Sequence, residues 1–153
     1  MKNQQKGFSL IELLIVVAII LIIAAIAIPN LMRSKMAANE ASAVASLRTL
    51  NTCVVEYGVT YGTDPSTLAS LGPAATPSST AADLIDSVLA TGIKSGYTIT
   101  YTAVAATPVT QYTMLAVPQS TSTGQRKFFT DQSGVIRQTT DNSTPTASST
   151  PIG

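Results

Sequence analysis

An almost unbroken apolar run covers residues 8–28, in which only Ser9 and Glu12 are polar. At about 1.5 Å of rise per residue, a helix of this run spans roughly 30 Å, the thickness of a hydrocarbon core. The apolar region of a secretory signal has only about 7–15 residues and precedes a small-residue cleavage site. Here Pro29 and Asn30 follow instead. The pattern therefore predicts a membrane helix that an ordinary signal peptidase does not remove.

A second helical pattern follows this run directly. Apolar residues recur at steps of three, four and seven, with polar residues on the other faces. Because the pattern resumes at once after Pro29, we expect that proline to bend or loosen the helix rather than end it. Gly58 and Gly62 are the expected stop. We predict one helix of about 50 residues, apolar all round at first and then amphipathic, with this stripe: Met36, Ala43, Leu47, Leu50, Val54 and Tyr57.

The rest of the chain predicts a small sheet. From Gly96 the period becomes two, which is typical of a half-buried strand. Further strands are expected over residues 111–117, 125–130 and 135–138, and the last two are joined by a tight turn at Asp131–Gly134. The predicted fold class is α+β, with the long helix packed on an antiparallel sheet of about four strands.

Shorter segments are predicted from local signals. Residues 64–72 suit a short helix with Asp64 as N-cap and Gly72 at its end. Residues 83–90 suit a helical turn or two, with Asp83 as a charge at the helix start. The Ser/Thr/Pro-rich segment 139–153 predicts a disordered tail, in which Asn142-Ser143-Thr144 matches the glycosylation triplet.

Composition excludes several kinds of chemistry. The net charge is +1, and no basic patch suited to nucleic acid is visible. The pair Arg126-Lys127 is interpreted as a solvated strand edge. There is no histidine, and the single cysteine, Cys53, is interpreted as a small buried hydrophobe. Asp83 and Asp86 could share a calcium ion, but two carboxylates are weak ligation. We therefore predict no catalytic residues, no cofactor and no metal.

One short motif is more specific. Lys6-Gly7-Phe8-Ser9-Leu10-Ile11-Glu12 resembles the N-terminus of type IV prepilins and of the related pseudopilins of type II secretion. Their shared pattern is a short basic leader ending in glycine, then an aromatic residue, three mostly apolar residues and a glutamate. Pro29 falls where these families usually keep a proline. The resemblance covers residues 1–57 and is only architectural beyond them.

The resemblance implies processing and assembly. A prepilin peptidase would cut between Gly7 and Phe8, and Phe8 would then be N-methylated. Glu12 and Pro29 would serve filament assembly. Many pilins also carry a glycine before the proline that helps the helix melt, whereas residues 16–28 contain none. Local melting would then depend on Pro29 alone.

The charge of Glu12 has a physical reason of its own. A charged side chain at the centre of a membrane helix costs about 2.5–3.5 kcal/mol on insertion scales, so such residues are usually paired or functional. Cleavage after Gly7 would create an amine on Phe8, one helical turn from Glu12. The carboxylate could meet its own amine or that of a neighbouring subunit, and the family precedent favours the neighbour.

These observations predict five segments: a leader at 1–7, a membrane and filament-core helix half at 8–29, an amphipathic half at 30–57, a globular domain at 58–138 and the tail. We predict a type IV pilus subunit that starts in the bacterial inner membrane and ends in an extracellular fibre. Its expected partners are itself, the peptidase and an inner-membrane assembly platform. A type II secretion pseudopilin, in a periplasmic pseudopilus, is the alternative. A minor pilin and a membrane-anchored periplasmic enzyme are further possibilities.

Overall fold

The structure, a computed structural model, describes residues 7–141 and 143–152. Helix α1 is Leu10–Tyr61, 52 residues that continue through Pro29. Gly62 ends it with φ 73°, and its N–H donates to the Gly58 carbonyl at 2.9 Å. This left-handed conformation is one that glycine adopts without a steric penalty. The predicted single helix of about 50 residues is confirmed. The chain divides into two compact units between Lys35 and Met36, the N-terminal unit and the C-terminal unit.

The C-terminal unit contains one antiparallel sheet whose strands lie in chain order. The prediction of about four strands is wrong in number, because two further strands of two residues each lie at the edges. Strands so short carry no readable alternation of polar and apolar residues. The strands are β1 Ile93–Lys94, β2 Tyr97–Ala103, β3 Tyr112–Pro118, β4 Lys127–Asp131, β5 Arg137–Thr139 and β6 Thr150–Pro151.

Strands β2, β3 and β4 follow the alternation that the sequence predicted. Every second side chain is buried along β3 and β4, and register places Ile99 opposite Ala116 and Leu115 opposite Phe129. The predicted turn between β4 and β5 also forms, with the Gly134 N–H donating to the Asp131 carbonyl at 2.9 Å. Gly134 has φ 71°, which explains the glycine.

The buried face of this sheet shares a core with the second half of α1, as predicted. Cys53, only 7% exposed, belongs to this core, and its Sγ donates to the Leu84 carbonyl at 3.3 Å. The interpretation of Cys53 as a small buried hydrophobe is confirmed. Large buried residues from the helix and the sheet are Leu47, Leu50, Val54, Tyr97, Met114 and Phe128.

The segment predicted to be a disordered tail is ordered over residues 143–152, so that prediction is wrong. Thr150 and Pro151 pair with β5, and the Ile152 N–H donates to the Ile136 carbonyl at 2.9 Å. Pro145 is fully buried. Composition alone predicted disorder. Backbone pairing with β5, buried Pro145 and the partly buried side chain of Ile152 instead order the segment. Asn142 of the glycosylation triplet lies outside the described residues.

The short helices begin later than predicted. A 3₁₀ helix covers Leu68–Leu71 with Thr67 as its N-cap, and Gly72 follows it as expected. Because Thr67 directly precedes this helix, Asp64 is not its cap. The Asp64 N–H donates to the Val109 carbonyl at 2.8 Å. Helix α2, Ser87–Ala90, is capped by Asp86, which accepts from the Leu89 N–H at 2.7 Å. The prediction that Asp83 starts this helix is therefore wrong.

Candidate assembly site

Gly7 and Phe8 precede α1 in an exposed segment, and Phe8 is 90% exposed. A Cβ atom added to Gly7 would meet nothing within 4 Å in the described structure, and Gly7 has no positive φ. Among the described residues, no steric or backbone reason therefore explains a glycine at this position. The remainder of the predicted leader, residues 1–6, lies outside the described structure.

Glu12 lies in the first turn of α1, and its carboxylate turns back to the helix start. Its Oε2 accepts a hydrogen bond from the Ser9 backbone N–H at 2.8 Å. The Leu13 N–H donates to the Ser9 carbonyl at 3.3 Å, which makes Ser9 the N-cap residue. Ser9 was missed as a partner of Glu12, although Ser9-Leu10-Ile11-Glu12 matches the S-x-x-E capping signature. That signature could have identified it.

The apolar residues that follow Glu12 have no cover within the N-terminal unit. Leu13, Leu21 and Ile26 are 62–63% exposed. Helix α1 is long enough and apolar enough to cross a membrane. A signal sequence near an N-terminus would meet the same two criteria. Such a surface needs an apolar environment, because an exposed apolar patch of this extent is unfavourable in water.

Pro29 lies inside α1 and has no N–H for the carbonyl four residues earlier. Side chains supplement the backbone bonds just beyond it. The Asn30 amide donates to the Ile26 carbonyl at 3.1 Å, and the Ser34 hydroxyl donates to the Asn30 carbonyl at 3.0 Å. The helix is thus intact here, and local melting at Pro29 stays a prediction.

A second polar cluster lies in the C-terminal unit and was missed from the sequence. Glu40, only 8% exposed, accepts the backbone N–H groups of Gln125 at 2.9 Å and Arg126 at 3.1 Å. The Arg126 guanidinium Nε donates to Glu40 Oε2 at 2.7 Å, and its Nη1 donates to Gln138 at 2.9 Å. The interpretation of Arg126 as a solvated edge charge is therefore wrong.

The electrostatics of Glu40 follow from these contacts. Burial opposes its charge, but the two backbone donors and the guanidinium outweigh burial and hold the pKa of Glu40 below its ordinary value. Asn39, the preceding residue, donates to the Thr123 carbonyl at 2.9 Å. Together these bonds fasten the loop between β3 and β4 to the second half of α1.

The two aspartates considered for calcium have other partners. Asp83 Oδ1 accepts from the Ala74 N–H at 3.4 Å, while Asp86 caps α2 and pairs with Lys94 at 3.4 Å. Within residues 7–141 and 143–152, no group of three or more His, Cys, Asp or Glu residues could hold a metal ion. The aspartates therefore gain no third acidic ligand from the fold.

Comparison with known proteins finds one family model and several similar proteins. Residues 2–28 match the model of the prokaryotic N-terminal methylation motif. The type IV wide pilus major component of Thermus thermophilus is 43% identical over 75 residues, which are 47% of this chain and 57% of that protein. A type IV major pilin protein of Neisseria gonorrhoeae is 38% identical over 78 residues, 51% of this chain and 47% of the pilin.

A secretion protein is also similar. The type II secretion system core protein G of Dickeya chrysanthemi is 32% identical over 72 residues, which are 47% of each chain. This chain spans about half the length of the relatives that it matches.

The molecule thus has a prepilin-type N-terminus and a pilin-like α+β arrangement, in which a long helix packs on an antiparallel sheet. The motif and the relatives support the type IV pilin and pseudopilin family for this chain.

Proposed function

We propose that this chain is a structural subunit of a bacterial type IV pilus. A prepilin peptidase cuts between Gly7 and Phe8, Phe8 is N-methylated, and the N-terminal helices then polymerise into the core of a surface fibre. The observation that carries the proposal is the methylation motif at the start of an apolar helix without cover. Two of the relatives described above bear the names of major pilus components.

The role that we assign to Glu12 is electrostatic. Its carboxylate is the single acidic group between Phe8 and Pro29, and the apolar residues beyond it favour a water-poor environment in the fibre. Opposite charges attract more strongly where the dielectric constant is low. Pairing Glu12 with the Phe8 amine of a neighbouring subunit would therefore fix the axial register of docking, while the apolar surfaces supply attraction.

Before assembly the precursor would reside in the inner membrane, where the assembly platform receives it. The length and composition of α1 support this localisation. Adhesion, twitching motility and DNA uptake are roles of such fibres, and no residue of this chain selects among them.

A pseudopilin of a type II secretion system is the second candidate, and the similarity to the core protein G favours it. The same helix and the same Glu12 would then build a periplasmic pseudopilus. Electron microscopy of cells overproducing the chain, with antibody labelling, discriminates the two. Long surface fibres in a strain without secretion genes support the pilus, and labelling confined to the periplasm supports the pseudopilus.

A membrane-anchored periplasmic enzyme is the rival class, and the names of the relatives do not support it. Hydrolysis of any substrate by a soluble fragment that begins at Asn30 would revive this class.

The central test replaces Glu12 with alanine in the full chain. Cleavage at Gly7–Phe8, measured by mass spectrometry, should continue largely as in the wild type, while sheared fibres should fall to the background of a pilin-deficient strain. Glu56→Ala, an exposed glutamate on the same helix, is the matched control and should assemble normally. Normal fibres from Glu12→Ala would refute the pairing role.

A further inference from the structure

The start of α1 contains half of a capping box. In a complete box, the side chain at the N-cap accepts from the backbone three residues later, and a Glu at that later position accepts from the N-cap N–H. Ser9 is the N-cap and Glu12 is three residues on, and the bond from the Ser9 N–H to Glu12 Oε2 at 2.8 Å is the glutamate half. Among the described residues, Ser9 and Glu12 are the polar side chains of the first turn.

We infer that Ser9 is a positioning residue for assembly, because its backbone N–H holds the Glu12 carboxylate at the helix start before any partner arrives. This inference rests on the proposed function, and it adds that the Ser9 N–H orients the Glu12 carboxylate. The carboxylate is satisfied at one oxygen in the uncleaved chain, and Oε1 has no hydrogen bond among the described residues.

The hydrogen bond between the Ser9 N–H and Glu12 lies next to the proposed cleavage site. The Phe8 nitrogen, which cleavage converts from an amide into an amine, is the backbone nitrogen immediately before that of Ser9. A carboxylate fixed at Ser9 N–H therefore lies beside the group that cleavage changes. An exposed glutamate side chain would otherwise lose its rotamer freedom during docking, which weakens association. The cap removes that freedom beforehand.

Substitutions at Ser9 and Glu12 distinguish the effect of the Ser9–Glu12 hydrogen bond from the effect of the Glu12 charge. Ser9→Ala keeps the backbone N–H, whereas Ser9→Pro removes it and remains compatible with the non-helical conformation of an N-cap. Glu12→Gln keeps the acceptor oxygen without the charge, and Glu12→Ala removes both. All variants are produced as full chains, with cleavage followed by mass spectrometry and helix content by circular dichroism.

Fibre yield gives the first readout. We expect Ser9→Ala to assemble within about twofold of the wild type and Ser9→Pro to be cleaved and helical but to give at least fivefold fewer fibres. Equal yields from these two variants would overturn the inference. If Ser9→Pro is not cleaved, Glu12→Asp decides: its carboxylate keeps the charge but is one methylene short of the Ser9 N–H. We expect the same loss from it, and a wild-type yield would overturn the inference.

Amide hydrogen exchange gives a readout that helix folding alone would not change. In uncleaved precursor reconstituted in lipid nanodiscs, the Ser9 amide should exchange at least tenfold faster in Glu12→Ala than in the wild type or Glu12→Gln. Equal exchange in all three would overturn the inference. The proposed function fails separately, since a wild-type chain that forms no fibres refutes it, whereas normal wild-type fibres with equal yields from the two Ser9 variants refute only the inference.

Discussion

Replacing Glu40 with alanine should lower the free energy of unfolding of the C-terminal unit by about 1–3 kcal/mol. The change removes the acceptor for two backbone N–H groups, of Gln125 and Arg126, and for the Arg126 guanidinium. Leaving a buried donor unsatisfied costs about 1–3 kcal/mol. Gln125 is exposed and the Arg126 side chain is 39% exposed, so water can replace part of what is lost. The total loss of unfolding free energy therefore stays near the cost of one unsatisfied donor.

The same carboxylate predicts a pH dependence. The pKa of Glu40 is lower in the folded chain than its ordinary value of 4.5. Its stabilising contribution is therefore complete above about pH 4.5 and is lost as the pH falls through the lower, folded value. Glu40→Gln should remove this acid-sensitive contribution while keeping an acceptor for the backbone N–H groups.

The assay is urea unfolding of a fragment that begins at Asn30, followed by circular dichroism at pH 7 and pH 3. The matched control is Glu56→Ala, an exposed glutamate on the same helix, which should change stability by less than about 0.5 kcal/mol. A Glu40→Ala variant as stable as Glu56→Ala at pH 7 would contradict the role assigned to Glu40. A Glu40→Ala stability deficit that persisted unchanged at pH 3 would contradict its pH dependence.

Three further predictions concern other parts of the chain. Gly7→Leu should leave uncleaved precursor in the membrane, and a shortened product in mass spectrometry would show that the cleavage site lies elsewhere. Ending the chain at Asp141 removes β6 and buried Pro145, so thermal unfolding should occur at least about 5 °C lower; an unchanged Tm would contradict the structural role of this segment. Burial raises the pKa of Asp64, so its charge opposes folding at neutral pH, and Asp64→Asn should raise the Tm at pH 7 but not at pH 3. A lower Tm at pH 7 would contradict that.

Local patterns in the sequence predicted the elements that depend on near neighbours. The stripe of apolar residues from Ala43 to Tyr57 and the stop at Gly62 specify α1, and the Asp131–Gly134 turn specifies the hairpin of β4 and β5. Gly7, Phe8 and Glu12 were found for the same reason, since their signal lies within one short motif. Their roles in cleavage and assembly stay predictions.

What the sequence could not reveal depends on contacts between distant residues. The Glu40–Arg126 ion pair joins positions 86 apart, and neither residue stands out locally from a solvated charge. Strand β6 is similar, because a strand of two residues, one of them a proline, gives no local signal and is ordered by pairing with β5. Asp64 was misassigned as a cap because the helix begins only at Leu68, and the Asp64 N–H bonds to the distant Val109 carbonyl.

The two edge strands of the sheet are poorly suited to pairing with a further strand. Each outermost strand is two residues long, one carries Lys94, and the other ends with Pro151, which has no N–H to donate. Short strands, lysine and proline are devices by which natural sheets discourage strand addition from other molecules. Under the proposed function, a subunit stored at high density in a membrane, or crowded in a fibre, would therefore present little template for amyloid-like growth. Polymerisation would then be left to the helices.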